Sequence, residues 1–260
     1  MMEWGGTLEG LNFQGEAPVK LYEWSGQAIY WVGSLEEVAF RCNTYLITDR
    51  DQAILVDPGS RAYFEQVKAR VAQVFDPAKV TGMVLCHEDP DVCASMVDWL
   101  NLNPDMLVMT SPRTHVIVPH HGQREYRYYD VEQHPTYALP SGGELRFIPA
   151  PFLHFPGAIT TYDTFSGFLF SGDIWGALDM NWELVVKDFE THVISMNLFN
   201  LEYMASNKAT RGYVKSLAGL TIHAILPQHG SIIGPQHVKA ALDYMANLQC
   251  GLDLLYPDYE

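Results

Sequence analysis

The chain has 260 residues, 48% of them apolar, enough to bury a full core in one large domain or two small ones. Its 16 basic and 31 acidic residues leave a formal charge of −15 with histidine neutral. That field repels phosphate backbones and anionic membrane surfaces, which argues against nucleic acid or a membrane as partner. No apolar run approaches the roughly 18 residues of a membrane helix. Met1-Met2-Glu3-Trp4-Gly5-Gly6 carries no basic lead into an apolar stretch, so a cytoplasmic protein is expected. Cys42, Cys86, Cys93 and Cys250 have irregular spacing and no CxxC. They read as reduced thiols, each more often a small buried hydrophobe than a reactive group. With no linker, repeat or low-complexity segment, one domain over residues 1–260 is expected, its core at about 25–250.

Residues 27–33, 43–48 and 53–57 predict an early run of strands, with Asp49-Arg50-Asp51-Gln52 as a hairpin turn. Asp57-Pro58-Gly59-Ser60 ends the third strand and opens a helix to about residue 74, where Tyr63, Val67, Val71 and Val74 recur at helical spacing. The apolar run Gly82-Met83-Val84-Leu85-Cys86 predicts a buried strand feeding a helix over about 91–101. A strand at 106–110 feeds Ser111-Pro112, a helix cap and first-turn proline. The stretch holding His120-His121, Arg124, Tyr126, Arg127, Tyr128-Tyr129 and His134 is polar and reads as a solvated loop or substrate rim. Later strands are predicted near 145–150, 159–162, 167–171 and 221–226, and helices near 191–217 and 235–249. This order predicts an α/β fold of two packed sheets with helices outside, a four-layer αβ/βα sandwich.

The chemistry concentrates in His87-Glu88-Asp89-Pro90-Asp91, directly after the strand at 82–86. An isolated His87 would read as a core histidine bonded to backbone. Asp89 and Asp91 change that reading, because unpaired carboxylates crowded at the end of an apolar strand are costly and a metal ion neutralises the cost. If the strand's alternation continues through the loop, His87, Asp89 and Asp91 point one way and Glu88 the other, which leaves Glu88 out of the ligand set. His154, Asp173 and His229 each end a later apolar run, on loops of the kind where ligands collect. Asp173 alone could merely cap a turn. Together, three imidazoles and three carboxylates suffice for two metal ions if one carboxylate bridges.

With these residues in place, the chain resembles the metallo-β-lactamase superfamily, and within it the diiron branch typified by the flavodiiron proteins. That branch orders its ligands as H-x-E-x-D-H, then H, D and H. Here the order is His87-x-Asp89-x-Asp91-Val92, then His154, Asp173 and His229, with Asn43-Thr44-Tyr45-Leu46-Ile47, Leu55-Val56-Asp57, Phe170-Ser171-Gly172-Asp173 and His229-Gly230 as further shared words. Asp89 replaces the usual Glu, and Val92 stands where a second His would be; both resemble the oxygen-binding diiron proteins. The resemblance implies two iron ions: His87, Asp89 and His154 on the first, Asp91 and His229 on the second, and Asp173 bridging. It also implies a homodimer. No candidate phosphate loop follows the ligands, so no FMN is expected on this chain.

Fewer imidazoles and more hard oxygen donors than in the superfamily's zinc hydrolases favour iron or manganese. Val92 cannot coordinate, which leaves an open position for O2 on the second ion. The expected function is a non-haem diiron protein that binds O2, for sensing or for slow O2 reduction with an external electron donor or signalling partner. Phe155, Trp175 and Tyr203 are expected to line the pocket, with Tyr203, aligned loosely with an aromatic segment of the flavodiiron family, donating a hydrogen bond to bound oxygen. Ordinary core packing is the simpler reading for Trp175. Two alternatives stand beside this. One is a dinuclear-metal hydrolase such as a phosphodiesterase, using His120, His121, Arg124 and Arg127 as an anion-binding rim. The other is an O2 or NO reductase served by a separate flavoprotein.

Overall fold

The computed structural model describes residues 8–35, 38–122, 125–181 and 183–258; Arg124 and the Met1–Gly6 segment lie outside them. The first half runs β1 (Val19–Trp24), β2 (Gln27–Trp31), β3 (Tyr45–Asp49), β4 (Gln52–Val56), α1 (Phe64–Val71), β5 (Gly82–Val84), α2 (Pro90–Cys93), α3 (Met96–Leu102), β6 (Leu107–Thr110), α4 (Pro112–His115) and β7 (Arg127–Asp130). The second runs β8 (Thr136–Ala138), β9 (Glu144–Pro149), β10 (Ile159–Asp163), β11 (Phe168–Gly172), α5 (Phe189–Tyr203), α6 (Asn207–Ser216), β12 (Ala224–Pro227), α7 (Val238–Asn247) and α8 (Leu252–Leu255).

The strands form two mixed sheets. The first has order β1-β2-β3-β4-β5-β6-β7, antiparallel through β4 and parallel from β4 to β7. The second has order β12-β11-β10-β9-β8, with only the β11–β12 pair parallel. The two-residue periodicity of the strands explains how they pack. Tyr45, Ile47, Ile54 and Val56 point into one cluster with Phe168, Phe170, Ala224 and Leu226 of the other sheet. Their neighbours Leu46, Ala53 and Leu55 point outward to Val67, Val71, Trp99 and Leu100 of α1 and α3. On the far side, Leu169 and Ile225 meet Phe199, Tyr213 and Ala241 of α5, α6 and α7. Helices, sheet, sheet and helices are the four layers that the sequence predicts.

Two predicted helices are broken in the structure. The helix over 91–101 becomes α2 and α3 because the Ser95 N–H turns to the Gly59 carbonyl (2.9 Å) and its hydroxyl to that of Pro58 (2.8 Å). The helix over 191–217 becomes α5 and α6. Between them the Ala205 N–H donates to Phe152 O (3.3 Å) and the Asn207 N–H to Asp253 Oδ2 (2.6 Å), so neither continues the helical ladder. The strand expected to reach residue 86 stops at Val84. Strands β1, β7 and β8 were not predicted, and β7 occupies part of the polar stretch read as a loop. Ser111 does cap α4, accepting from the Thr114 N–H, with Pro112 in the first turn.

Candidate metal centre

The six predicted ligands lie beyond the carboxyl ends of β5, β11 and β12 and in the turn between β9 and β10, the edge where α/β folds build sites. The loop after β5 is fixed by backbone: the Cys86 N–H donates to Asp57 Oδ1 (2.9 Å) and Ile159 N to Cys86 O (2.9 Å). Asp89 then stands at the N-cap position of α2 without a side-chain capping bond, which leaves its carboxylate to the cluster, and Pro90 sets the first turn. The helical turn, not a continued strand alternation, therefore separates Asp89 from Asp91. Before Asp173, Gly172 has φ of +56°, and a Cβ there would come within 2.7 Å of Cys86 Sγ. After His229, Gly230 has φ of +81°, and a Cβ would meet Ala177 at 2.7 Å. Both glycines serve turns that other residues would strain.

Two clusters share Asp173. Its Oδ2 is 3.1 Å from His154 Nε2 and 3.4 Å from His87 Nε2, and Asp89 Oδ2 is 3.3 and 3.5 Å from the same two nitrogens. Its Oδ1 is 3.6 Å from His229 Nε2, which is 3.3 Å from Asp91 Oδ2. The first cluster, His87, Asp89, His154 and Asp173, and a second of Cys42, Asp91 and His229 each bring one donor atom per residue within 4.8 Å of one another. His87 Nε2, His229 Nε2 and Asp173 Oδ1 are buried, yet none makes a hydrogen bond of acceptable geometry. His154 Nε2 does bond Asp173 Oδ2 (3.1 Å), but three buried atoms that converge without a partner fit a cation between them, since buried polar groups otherwise find partners.

The charges agree with that geometry. Burial opposes ionisation of Asp173, but His87, His229 and His154 outweigh it and hold the carboxyl well below its ordinary range. His154 and His87 hold Asp89 well below its ordinary range too. Burial disfavours the His154 imidazolium, and Asp173 with Asp89 reverses this, raising it to about 9. Burial likewise opposes charge on His229 and is outweighed by Asp173 and Asp91. The His229 Nδ1–H donates to the Arg41 carbonyl (2.8 Å), which fixes the ring and turns Nε2 to the centre.

Glu88 belongs to neither cluster, but its side chain does not simply turn to solvent: Oε2 is buried without a hydrogen-bond partner, and burial pushes the carboxyl up to about 7. Tyr203 lies over the site, its ring stacked on Phe199 at 4.4 Å and edge-on to His154 at 5.5 Å. Trp175 does not line the pocket: it is fully buried in the outer core, and its indole N–H donates to Ala241 O (2.8 Å). Phe155 is part-buried, and among the described residues its ring does not meet those of His87, His154 or His229. The aromatic roof is instead Phe199, 5.6 Å from the His229 ring, and Phe40, 4.0 Å from it. Neither was singled out in the sequence, nor was Cys42 as a neighbour of Asp91. Of the expected rim, His121 Nε2 bonds Glu88 O (2.8 Å), and Arg127 reaches Asp105 O (3.1 Å).

The profile of the ODP family beta lactamase matches residues 40–230. The chain belongs to that family. Its fold is similar to the apo state of the chemotaxis sensor ODP from T. denticola, at 32% identity and TM-score 0.83, covering 93% of this chain and 98% of that one. It is also similar to a peroxy diiron species of the chemotaxis sensor ODP, at 30% identity and TM-score 0.80, covering 93% and 100%. Among curated proteins it is 29% identical over 162 residues to a nitric oxide reductase of Moorella thermoacetica, covering 57% of this chain and 40% of the relative. The chain spans less than half the length of the first curated relatives it matches. Among the described residues, no helix is long and apolar enough to cross a membrane.

Proposed function

We propose that this chain is a non-haem diiron protein that binds O2, for oxygen sensing or for slow O2 reduction with electrons from a separate donor. One observation carries the reading: Asp173 turns one oxygen to each of two clusters, in which the buried His87 Nε2, His229 Nε2 and Asp173 Oδ1 lack hydrogen-bond partners. In this reading His87, Asp89 and His154 hold the first ion, Asp91 and His229 hold the second, and Asp173 bridges. Three imidazoles and three carboxylates form a donor set suited to iron. A family neighbour described as a peroxy diiron species of a chemotaxis sensor supports the choice.

Bound iron would supply the redox chemistry that O2 binding requires. The protein's own part is placement and shielding. Phe199 and the part-exposed Phe40 set apolar rings against His229, which limits the approach of water from that side. Tyr203, half-exposed beside His154, brings a phenol that can donate a hydrogen bond to a ligand over the centre. Electrons would come from a separate donor. That partner, a signalling protein or a reductase, and a homodimeric state belong to the same proposal. Reduction of NO in place of O2 is the second reading, supported by the match to the nitric oxide reductase of Moorella thermoacetica.

Anaerobic loading with ferrous iron, followed by elemental analysis and visible absorption before and after O2, tests the proposal. Two irons per chain and an O2-dependent absorption change are expected. Iron that fails to bind, with zinc-dependent phosphodiester hydrolysis in its place, would move the chain to the hydrolase class. The as-isolated protein should carry no flavin and turn over O2 slowly with NADH alone.

A further inference from the structure

The second cluster holds one residue that the diiron ligand pattern does not use. Cys42 is 6% exposed, and its Sγ lies 3.7 Å from Asp91 Oδ2. Its sulfur, an Asp91 oxygen and a His229 nitrogen lie within 4.8 Å of one another. This closeness is built into the backbone. Cys42 pairs with His229 in an isolated antiparallel bridge, the Asn43 N–H donates to Gln228 O (2.6 Å), and His229 Nδ1 bonds Arg41 O. The residues flanking Cys42 therefore clamp the loop that carries His229. A second, independent observation points to a ligand here: His229 is fully buried, and its Nε2, the atom facing this cluster, has no hydrogen-bond partner.

We infer that Cys42 is a thiolate ligand of the second metal position, completing a set with Asp91, His229 and Asp173. The inference rests on the dinuclear reading above. Without it the two positions are unequal among the described residues: four protein donors surround the first, and Asp91, His229 and Asp173 Oδ1 surround the second. No further donor comes from α2, because Val92 is fully buried in the apolar cluster of the outer helices. Other cysteines do not compete. Cys93 packs in that same cluster, Cys250 lies in the outer core of the second sheet, and Cys86 sits against His87 Nδ1 (3.0 Å), on the ring atom turned from the cluster.

On metal binding the Cys42 S–H bond breaks, the proton leaves to solvent, and a sulfur–metal bond forms; no electrons move. The result is a pair of chemically distinct positions. The first is bound by imidazole and carboxylate only. The second carries a soft, electron-rich sulfur that favours borderline metal ions and stabilises the oxidised state of iron.

Cobalt(II) alone, titrated anaerobically into the 260-residue chain, separates this inference from the reading it rests on. Visible ligand-field bands and elemental analysis count the ions, while near-ultraviolet thiolate-to-cobalt charge transfer reports sulfur. We expect two cobalt ions per wild-type chain and a charge-transfer band that grows with one of the two equivalents. Cys42→Ser should lose that band, keep one equivalent tight, and weaken the other by more than tenfold. Cys250→Ser should keep the band. Two bound ions without a thiolate band would overturn the Cys42 assignment and leave the dinuclear reading standing. Fewer than two ions in the wild type would overturn both. A band that persists in Cys42→Ser would assign the sulfur elsewhere and end the inference. Cobalt-edge X-ray absorption of the wild type needs no variant to fold. One sulfur scatterer at about 2.3 Å shared over two ions is expected, and nitrogen and oxygen neighbours alone would refute the ligand.

Discussion

Asp89 and Asp91 are two residues apart and serve different clusters: Asp89 Oδ2 lies 3.3 Å from His154 Nε2, and Asp91 Oδ2 lies 3.3 Å from His229 Nε2. Pro90 causes the divergence. By starting α2 between them it replaces strand geometry with a helical turn, in which side chains fan around an axis. One short segment thus feeds two side-chain clusters, and Asp173, from the other sheet, turns one oxygen to each.

Asp173→Ala should be the most damaging ligand change, because it removes a donor from both positions. We expect both metal affinities to fall by more than the roughly 10–100-fold typical of losing an outer-shell partner. His87→Ala and His154→Ala should empty mainly the first position, and Glu88→Ala should leave occupancy unchanged. Elemental analysis after equilibration with limiting metal reads all four. Full occupancy in Asp173→Ala would defeat the bridging role, and loss of a metal in Glu88→Ala would mean its carboxylate turns inward.

Tyr203→Phe keeps the ring on Phe199 and removes only the hydroxyl. Metal content should be unchanged. The absorption change seen on admitting O2 should decay faster, by about the factor of ten that one hydrogen bond of roughly 1–1.5 kcal/mol supplies. Stopped-flow absorption gives the comparison, and identical decay would reduce Tyr203 to a packing residue.

Val92→His tests whether the position that carries a histidine in the flavodiiron pattern still faces the metals. Val92 is fully buried among apolar residues, including Val67, Leu85 and Met96. An imidazole there loses apolar contacts and buries a polar ring, so the apo protein should lose about 2–4 kcal/mol of stability. Denaturant unfolding of the metal-free protein measures it. Unchanged stability, with an imidazole signal on the metal, would show that the side chain turns to the centre and can restore a donor.

Metal-free protein should also lose stability as pH rises from about 6.5 to about 9. His154 is raised to about 9 against an ordinary 6.5: burial opposes the shift, and Asp173 and Asp89 overcome it. Between those values the folded chain holds a proton that the unfolded chain has released, so the contribution is full below 6.5 and gone above 9. Bound metal takes the place of that proton, and the slope should vanish in the loaded protein. Thermal unfolding of both forms across this range checks the sign. A metal-free Tm that rises with pH would mean His154 is neutral against its carboxylates.

The positions of His87, Asp89, Asp91, His154, Asp173 and His229 were legible because each ends an apolar run, and the structure brings all six to one edge. The inner and outer faces of β3 and β4 were legible for the same reason, in the alternation of Tyr45, Ile47, Ile54 and Val56 with their neighbours. Strands β7 and β8 were not, because these short strands, β8 at a sheet edge, carry mostly polar or half-exposed residues with no buried face to mark them. The break between α5 and α6 depends on hydrogen bonds to Phe152 and Asp253, far away in sequence. Cys42 and Phe40 reach the centre through the pairing of residue 42 with residue 229 across the two sheets, which no local pattern records.

Anomalous diffraction at the iron edge, from crystals grown anaerobically with ferrous iron, bears most directly on the shared centre. Two peaks roughly 3.5–4 Å apart are expected, one among His87, Asp89, His154 and Asp173 Oδ2, the other among Asp91, His229 and Asp173 Oδ1. A single peak, or two peaks that do not share Asp173, would contradict a bridged diiron site in this chain.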